Sequence, residues 1–262
     1  MITGKWMLNM LCVGVSLSGA VAHAEDSNAA QQSLTVGLGA QNAPVYSGSD
    51  KRHTLIAPVI QARDGAFFFD SMKGIGYDLQ SENGLYLENY LGYGLGRSDH
   101  DSKWRDGSDK LKGMGNIDAT LNTSIAVGWM VTLWLSLEGS ATLPLSDGQG
   151  VQYRTSVTFI PVQNDSDNVA LQVSALFGDG RYMNTFYGVN EKQSAASGYS
   201  PYQAARGFYE VDSNLVWRHQ FTPHWGGALS AGYTWLGDHA ANSSIVYQRN
   251  QTTVTAAVTY FF

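Results

Sequence analysis

The chain has 262 residues, enough for one large β-domain or two small domains. Charged residues make up only 15%, against the roughly 25% of a soluble domain, while aromatics reach 12%, glycines number 29 and mean hydropathy is −0.18. This combination excludes a bundle of apolar transmembrane helices and fits strands with one apolar and one polar, mostly uncharged face; the net charge of −6 argues against a nucleic-acid partner.

In chain order, the first feature reads as a signal peptide over residues 1–24. Lys5 supplies the positive charge, Met7 to Leu17 the apolar stretch, and Ala22-His23-Ala24 the small-x-small cleavage site, so the mature chain is expected to start at Glu25. The apolar stretch is shorter than the roughly 20 residues of a membrane-spanning helix. Cys12, the only cysteine, lies inside it. A mature chain without cysteine has no disulfide framework, thiol nucleophile or thiolate metal site.

Residues 25–262 contain no apolar run long enough for a spanning helix; the longest candidate, Ile125 to Leu135, includes Thr132 and stops at Ser136. The pattern instead repeats with period two. Leu121, Ile125 and Val127 alternate with Thr120, Asn122, Ser124 and Ala126. Val131, Leu133, Leu135 and Leu137 alternate with Thr132, Trp134, Ser136 and Glu138. Tyr209, Val211, Leu215 and Trp217 alternate with Glu210, Asp212, Asn214 and Arg218. Such segments predict an antiparallel transmembrane β-barrel, since in a bilayer every backbone N–H and C=O must find a partner.

Strands are predicted near 33–40, 53–62, 66–80, 84–95, 116–127, 131–142, 150–160, 168–177, 207–219, 225–236 and 252–262. Bacterial single-chain barrels have even strand counts. A short strand at 181–188 would make twelve, the favoured number; ten is the alternative. Trp129, Trp217, Trp225, Trp235 and Tyr260 fall at strand ends, where interfacial aromatic girdles sit. Polar loops are expected at 96–115, 189–205 and 238–250. In the last strand Val254, Ala256, Val258, Tyr260 and Phe262 are apolar at every second position. The ending looks like the signal read by the outer-membrane barrel-assembly machinery, an edge strand offered for β-augmentation. The C-terminus is then periplasmic.

Several motifs converge on one family. Tyr46-Ser47-Gly48-Ser49-Asp50, Ala57-Pro58-Val59-Ile60 and Gly74-Ile75-Gly76-Tyr77-Asp78-Leu79 come first. Phe186-Tyr187-Gly188-Val189 follows, then Ser197-Gly198-Tyr199 with Pro201. Tyr233 to Leu236 with Asp238, Ala240 and Ser243-Ser244-Ile245-Val246 closes the series. In this order the chain resembles the MipA/OmpV family of outer-membrane proteins, with Ser244 where that family usually has proline. The resemblance implies an outer-membrane protein without catalytic residues or cofactors. It further implies a scaffold linking a lytic transglycosylase to a penicillin-binding protein in peptidoglycan synthesis, other members being described as surface adhesins or antigens.

The remaining candidates are polar. Glu138, Arg154, Glu210, Asp212 and Arg218 are expected inside the barrel, as a salt-bridged plug or the lining of a small porin-like channel. His219, His224 and His239 lie near strand ends and would have to serve any barrel hydrolase, the least favoured function. His100, Asp99, Asp101, Asp106 and Asp109 in the 96–115 loop fit no ordered calcium loop, and Lys103, Arg105, Lys110 and Lys112 balance them. No metal site is expected.

Overall fold

The computed structural model describes residues 32–145 and 148–262. The cleavage residues Ala22, Ala24 and Glu25 lie outside the described residues. Fourteen strands run in chain order as β1 (Gln32–Pro44), β2 (Arg52–Asp64), β3 (Phe67–Asp70), β4 (Gly74–Gln80), β5 (Leu85–Gly94), β6 (Arg97–Ser98), β7 (Asp106–Gly107), β8 (Thr120–Thr132), β9 (Leu135–Pro144), β10 (Gln152–Gln163), β11 (Asp167–Gly178), β12 (Gly207–Gln220), β13 (Trp225–Leu236) and β14 (Asn250–Phe261). Three short helices, α1 (Gly180–Phe186), α2 (Glu191–Ser197) and α3 (Asp238–Ala241), lie between strands. All strands except β6 and β7 form one closed barrel, twelve in number, in which each neighbour is antiparallel. The barrel closes where β1 meets β14, from Thr35 opposite Phe261 to Asn42 opposite Val254. Closure leaves no edge at the seam, the condition for strands to stand in a bilayer.

Side chains alternate as the period-two pattern requires. Val127 is 55% exposed and its neighbour Ala126 only 2%. On β14, Val254 and Val258 are exposed while Thr255, Ala257 and Thr259 are buried. The outer face is thus apolar, and the inner face is rich in Ser, Thr, Gly and Ala. One end of the barrel carries tight turns and the other carries the long segments 95–119, 179–206 and 237–249. At the turn end aromatic rings meet in pairs: Trp134 with Phe159 at 5.7 Å, Trp225 with Tyr260 at 5.1 Å, and Tyr260 with Phe262 at 4.9 Å. This is the interfacial girdle of a membrane barrel.

The architecture corrects four details of the sequence reading. The twelfth strand is not 181–188, which is helix α1. Its first turn is capped by the Asp179 carboxylate, which accepts from Tyr182 N at 2.7 Å, and it buries Met183. The twelfth strand comes instead from 66–80, which splits into β3 and β4. There the Asp70 carboxylate accepts from Met72 N at 2.7 Å and Lys73 N at 3.2 Å, folding a turn inside an otherwise strand-like run. Leu133 and Trp134 form the β8–β9 turn, after a register shift between Met130 and Thr132, so Leu133 is not on the membrane wall. Tyr209 is buried, 1% exposed, because a bulge beside Leu176 and Phe177 turns it away from the outer face.

Candidate functional site

The long segments at the loop end do not hang free. They fold into a cap with its own apolar core in two clusters. Val45, Tyr46, Leu111, Met114, Val189 and Ile245 form one; Met183, Tyr187, Ala204 and Ala240 form the other with Leu176, Tyr209 and Leu236 from strand ends. Residues from four separate connections therefore bury against each other.

Polar contacts tie the same pieces together. Tyr46 Oη donates to Ile245 O at 3.0 Å, and the Tyr187 and Ser47 hydroxyls lie 2.9 Å apart. Gly48 N donates to Gln251 Oε1 at 2.9 Å, and Gly48 O accepts from Tyr247 N at 2.7 Å and Gln248 N at 3.0 Å. Gly48 has φ +95, and a Cβ there would lie 2.7 Å from a Val246 methyl, so both backbone and packing demand glycine. Arg97 is 5% exposed; its Nη1 donates to Phe186 O at 2.6 Å and its guanidinium lies 5.9 Å from the Tyr46 ring centre. Burial pulls the Arg97 guanidinium below its ordinary pKa and pushes the Tyr46 and Tyr187 phenols above theirs, so both phenols stay neutral. At the rim, Lys110 Nζ bonds the Asp50 carboxylate at 2.6 Å and sits 4.1 Å from the Tyr247 ring centre. The Lys110 hydrogen bond holds the Asp50 carboxyl below its ordinary range.

On the inner face, the charged residues chosen from sequence are brought together only in part. Arg154 lies 3.9 Å from Asp212, and Glu210 is two residues from Asp212 on β12. Glu138, on β9 beside the β10 strand that carries Arg154, accepts from Tyr86 Oη at 2.8 Å. Arg218 donates to Asn168 Oδ1 at 3.2 Å, and its buried Nε has no hydrogen-bond partner. Two closer ion pairs escaped the sequence reading: Arg63 with Asp78 at 2.6 Å and Lys73 with Glu88 at 3.0 Å. Their signal was available, because Arg63, Asp78 and Glu88 occupy polar positions of period two. The 66–80 run, read as one strand, hid the register.

The histidines do not form one cluster. His219 pairs with Asp167 at 2.8 Å and His224 Nδ1 lies 3.0 Å from Phe261 O, both at the turn end, whereas His239 stands on α3 at the loop end. Among the described residues no imidazole hydrogen-bonds a serine hydroxyl, and no group of three His, Cys, Asp or Glu could hold a metal ion. In the 96–115 loop, Asp101 and Asp109 accept from each other's backbone N–H at 2.9 and 3.0 Å, so those carboxylates shape the loop.

A family model described as "MltA-interacting protein MipA" matches residues 36–262. The chain belongs to the MipA family. Four of the segments that carry the family resemblance, Tyr46 to Asp50, Phe186 to Val189, Ser197 to Pro201 and Ser243 to Val246, meet in the cap of this MipA-family barrel, while Ala57 to Ile60, Gly74 to Leu79 and Tyr233 to Leu236 lie on its wall strands. No curated protein matches it in sequence. Among solved structures it is similar to the NanC porin, with 10% identity over 87% of this chain and 98% of that one at a TM-score of 0.45. It is similar also to an outer-membrane channel from Pseudomonas putida F1, with 10% identity over 92% and 100% at 0.43. The translocator domain of the autotransporter NalP from Neisseria meningitidis aligns at 10% identity over 90% of each chain, at 0.44. The closed twelve-strand ladder and apolar outer face make this MipA-family chain an outer-membrane β-barrel.

Proposed function

We propose that this barrel is a non-catalytic interaction protein serving peptidoglycan synthesis and remodelling, contacting a lytic transglycosylase and, with it, a penicillin-binding protein. The observation that carries this reading is membership of a family whose description is itself an interaction. The folded cap supports it: a mouth filled by two apolar clusters and cross-tied loops suits a stoppered barrel better than an open pore. In this reading the cap faces outward and the turn end faces the periplasm, where both enzymes work. Glu138, Arg154, Glu210, Asp212 and Arg218 line the lumen as an internal brace. Residues 1–24 are removed after Ala24, and the barrel-assembly machinery reads Val254, Ala256, Val258, Tyr260 and Phe262.

The test is affinity capture of the tagged, full-length protein from native outer membranes. Co-purification of a lytic transglycosylase supports the proposal. Its absence, combined with stable single-channel conductance in planar bilayers, would put a small porin-like channel in its place.

A further inference from the structure

The barrel wall is incomplete in its loop-end half. β2 pairs with β1 along its whole length, from Arg52 to Asp64, but with β3 only from Gln61 to Asp64. The β3–β4 hairpin ends at Ser71-Met72-Lys73, and β4 meets β5 only from Ile75 to Gln80. Ser71 extends the ladder by one step: its N–H donates to Ile60 O at 2.9 Å, its Oγ accepts from Ile60 N at 3.1 Å, and its hydroxyl donates to Pro58 O at 3.3 Å. Beyond Ile60, no strand pairs with this edge of β2 among the described residues. Because Ile60 bonds towards Ser71, alternation turns the backbone groups of Pro58, Ile56 and Thr54 to the same side. Proline at 58 removes one donor from that edge.

The gap lies at membrane depth. Met72 is five residues above Phe67, about 12 Å along the barrel axis at ~3.3 Å per residue and a tilt of about 40°. The apolar band of such barrels is about 25 Å tall. An unpaired edge at that height cannot face hydrocarbon alone; it is tolerated where it is buried in protein or lines a water-filled cavity. The inner side of the gap is also unusual. Val59, buried against Ala228 and Ala257, shares its face of β2 with Leu55 and Ala57, an apolar strip of three successive inward positions. The floor is polar, with Lys73 bonded to both Glu88 oxygens at 3.0 Å and Asp70 accepting from Gln61 at 2.7 Å. Gly74, at φ +118, lets this floor lie against β5, since a Cβ there would sit 1.9 Å from Leu91 O.

We propose that this gap is a lateral portal through which the hydrocarbon tail of a single-chain membrane amphiphile passes between bilayer and lumen, along Leu55, Ala57 and Val59. With the mouth filled by the cap, the side wall is the remaining route at this end. The proposal is independent of the peptidoglycan reading.

The test uses the full folded barrel in phosphatidylcholine vesicles containing a sixteen-carbon fatty acid with a terminal diazirine. After illumination, adducts are mapped to single residues by mass spectrometry. The portal predicts adducts on inward Leu55, Ala57 and Val59 as well as on outward Ile56, Leu229 and Val258, with the inward ones competed by unlabelled palmitic acid. Ala57→Trp should lower inward labelling at Leu55 and Val59 at least tenfold and leave Leu229 and Val258 unchanged. If that variant does not fold, the inward-to-outward ratio in the native chain decides alone. Adducts confined to outward residues overturn the proposal. So does a Thr54→Cys variant that crosslinks quantitatively to a second copy, because the edge would then be sealed by another strand.

Discussion

Replacing Leu111 by alanine tests whether the loop cap is one cooperative unit. Leu111 is fully buried at the end of a 3₁₀ turn, beside Met114 of its own loop and Tyr46, Val189 and Ile245 from three other parts of the chain. Truncation removes three carbons at about 0.8 kcal/mol each, and the residual cavity brings the loss to about 3 kcal/mol, within the range of roughly 2–5 kcal/mol for such changes. At ~1.4 kcal/mol per tenfold, cap opening becomes about 100-fold more frequent. The twelve-strand ladder does not include Leu111, so the barrel should persist as a heat-modifiable band. Amide hydrogen exchange reads the effect. The Val189 and Tyr202 amides, which bond each other's carbonyls at 2.8 and 2.9 Å, and Gly107 N, bonded to Val45 O at 2.8 Å, should exchange about 100-fold faster. The β13–β14 amides should not change. Acceleration limited to residues 109–114 would refute the argument, leaving independent loops in place of a shared core.

The wall alternation is checked on β12, where Leu215 is 48% exposed and Asn214 is on the inner face. Leu215→Arg should destabilise the barrel in bilayers by about 2–4 kcal/mol and Asn214→Arg by much less; equal losses would refute the face assignment. The cap should loosen in acid. The Lys110 hydrogen bond holds Asp50 low, and the Asp109 backbone N–H does the same for Asp101. A depressed carboxylate stabilises above its unfolded pKa of about 3.9 and loses that contribution as pH falls through the folded value. Protection of residues 45–51, measured against the intrinsic exchange rate at each pH, should therefore fall below about pH 4, and Asp50→Asn should flatten that fall. At the C-terminus, Phe262 is 72% exposed, with its ring against Tyr260 at 4.9 Å. Replacing Tyr260 and Phe262 by serine should strand the chain in the periplasm yet allow refolding in detergent; normal insertion in cells would show that the last strand carries no assembly signal.

Much of the barrel was legible because a membrane wall forces alternation on every residue that crosses it. β10, β11, β13 and β14 appear in the sequence as period-two runs within a few residues of their ends, whereas β8 runs on to Thr132, five residues past the expected 127. The failures have local causes. The turn at Asp70 to Lys73 depends on one carboxylate gathering two amides, and the flanking Phe67 to Phe69 and Ile75 to Leu79 read as one strand across it. In α1 the apolar residues Tyr182, Met183, Phe186 and Tyr187 recur at helical spacing, but the run is short enough to pass for a strand. The cap was legible only as fragments. Tyr46, Leu111, Tyr187 and Ile245 are far apart in sequence, and nothing short of the closed barrel brings their loops to one mouth. The inner charges were found as residue types, but their partners depend on register across neighbouring strands, as Lys73 and Glu88 show.

The central claim, that this MipA-family barrel works by binding cell-wall enzymes, is tested most directly by quantitative affinity capture of the tagged protein from native membranes, followed by mass spectrometry. The account predicts a lytic transglycosylase and a penicillin-binding protein enriched over a barrel of similar size, with no conductance from the purified protein. Capture of neither enzyme, together with steady ion conductance through the purified barrel, would contradict it.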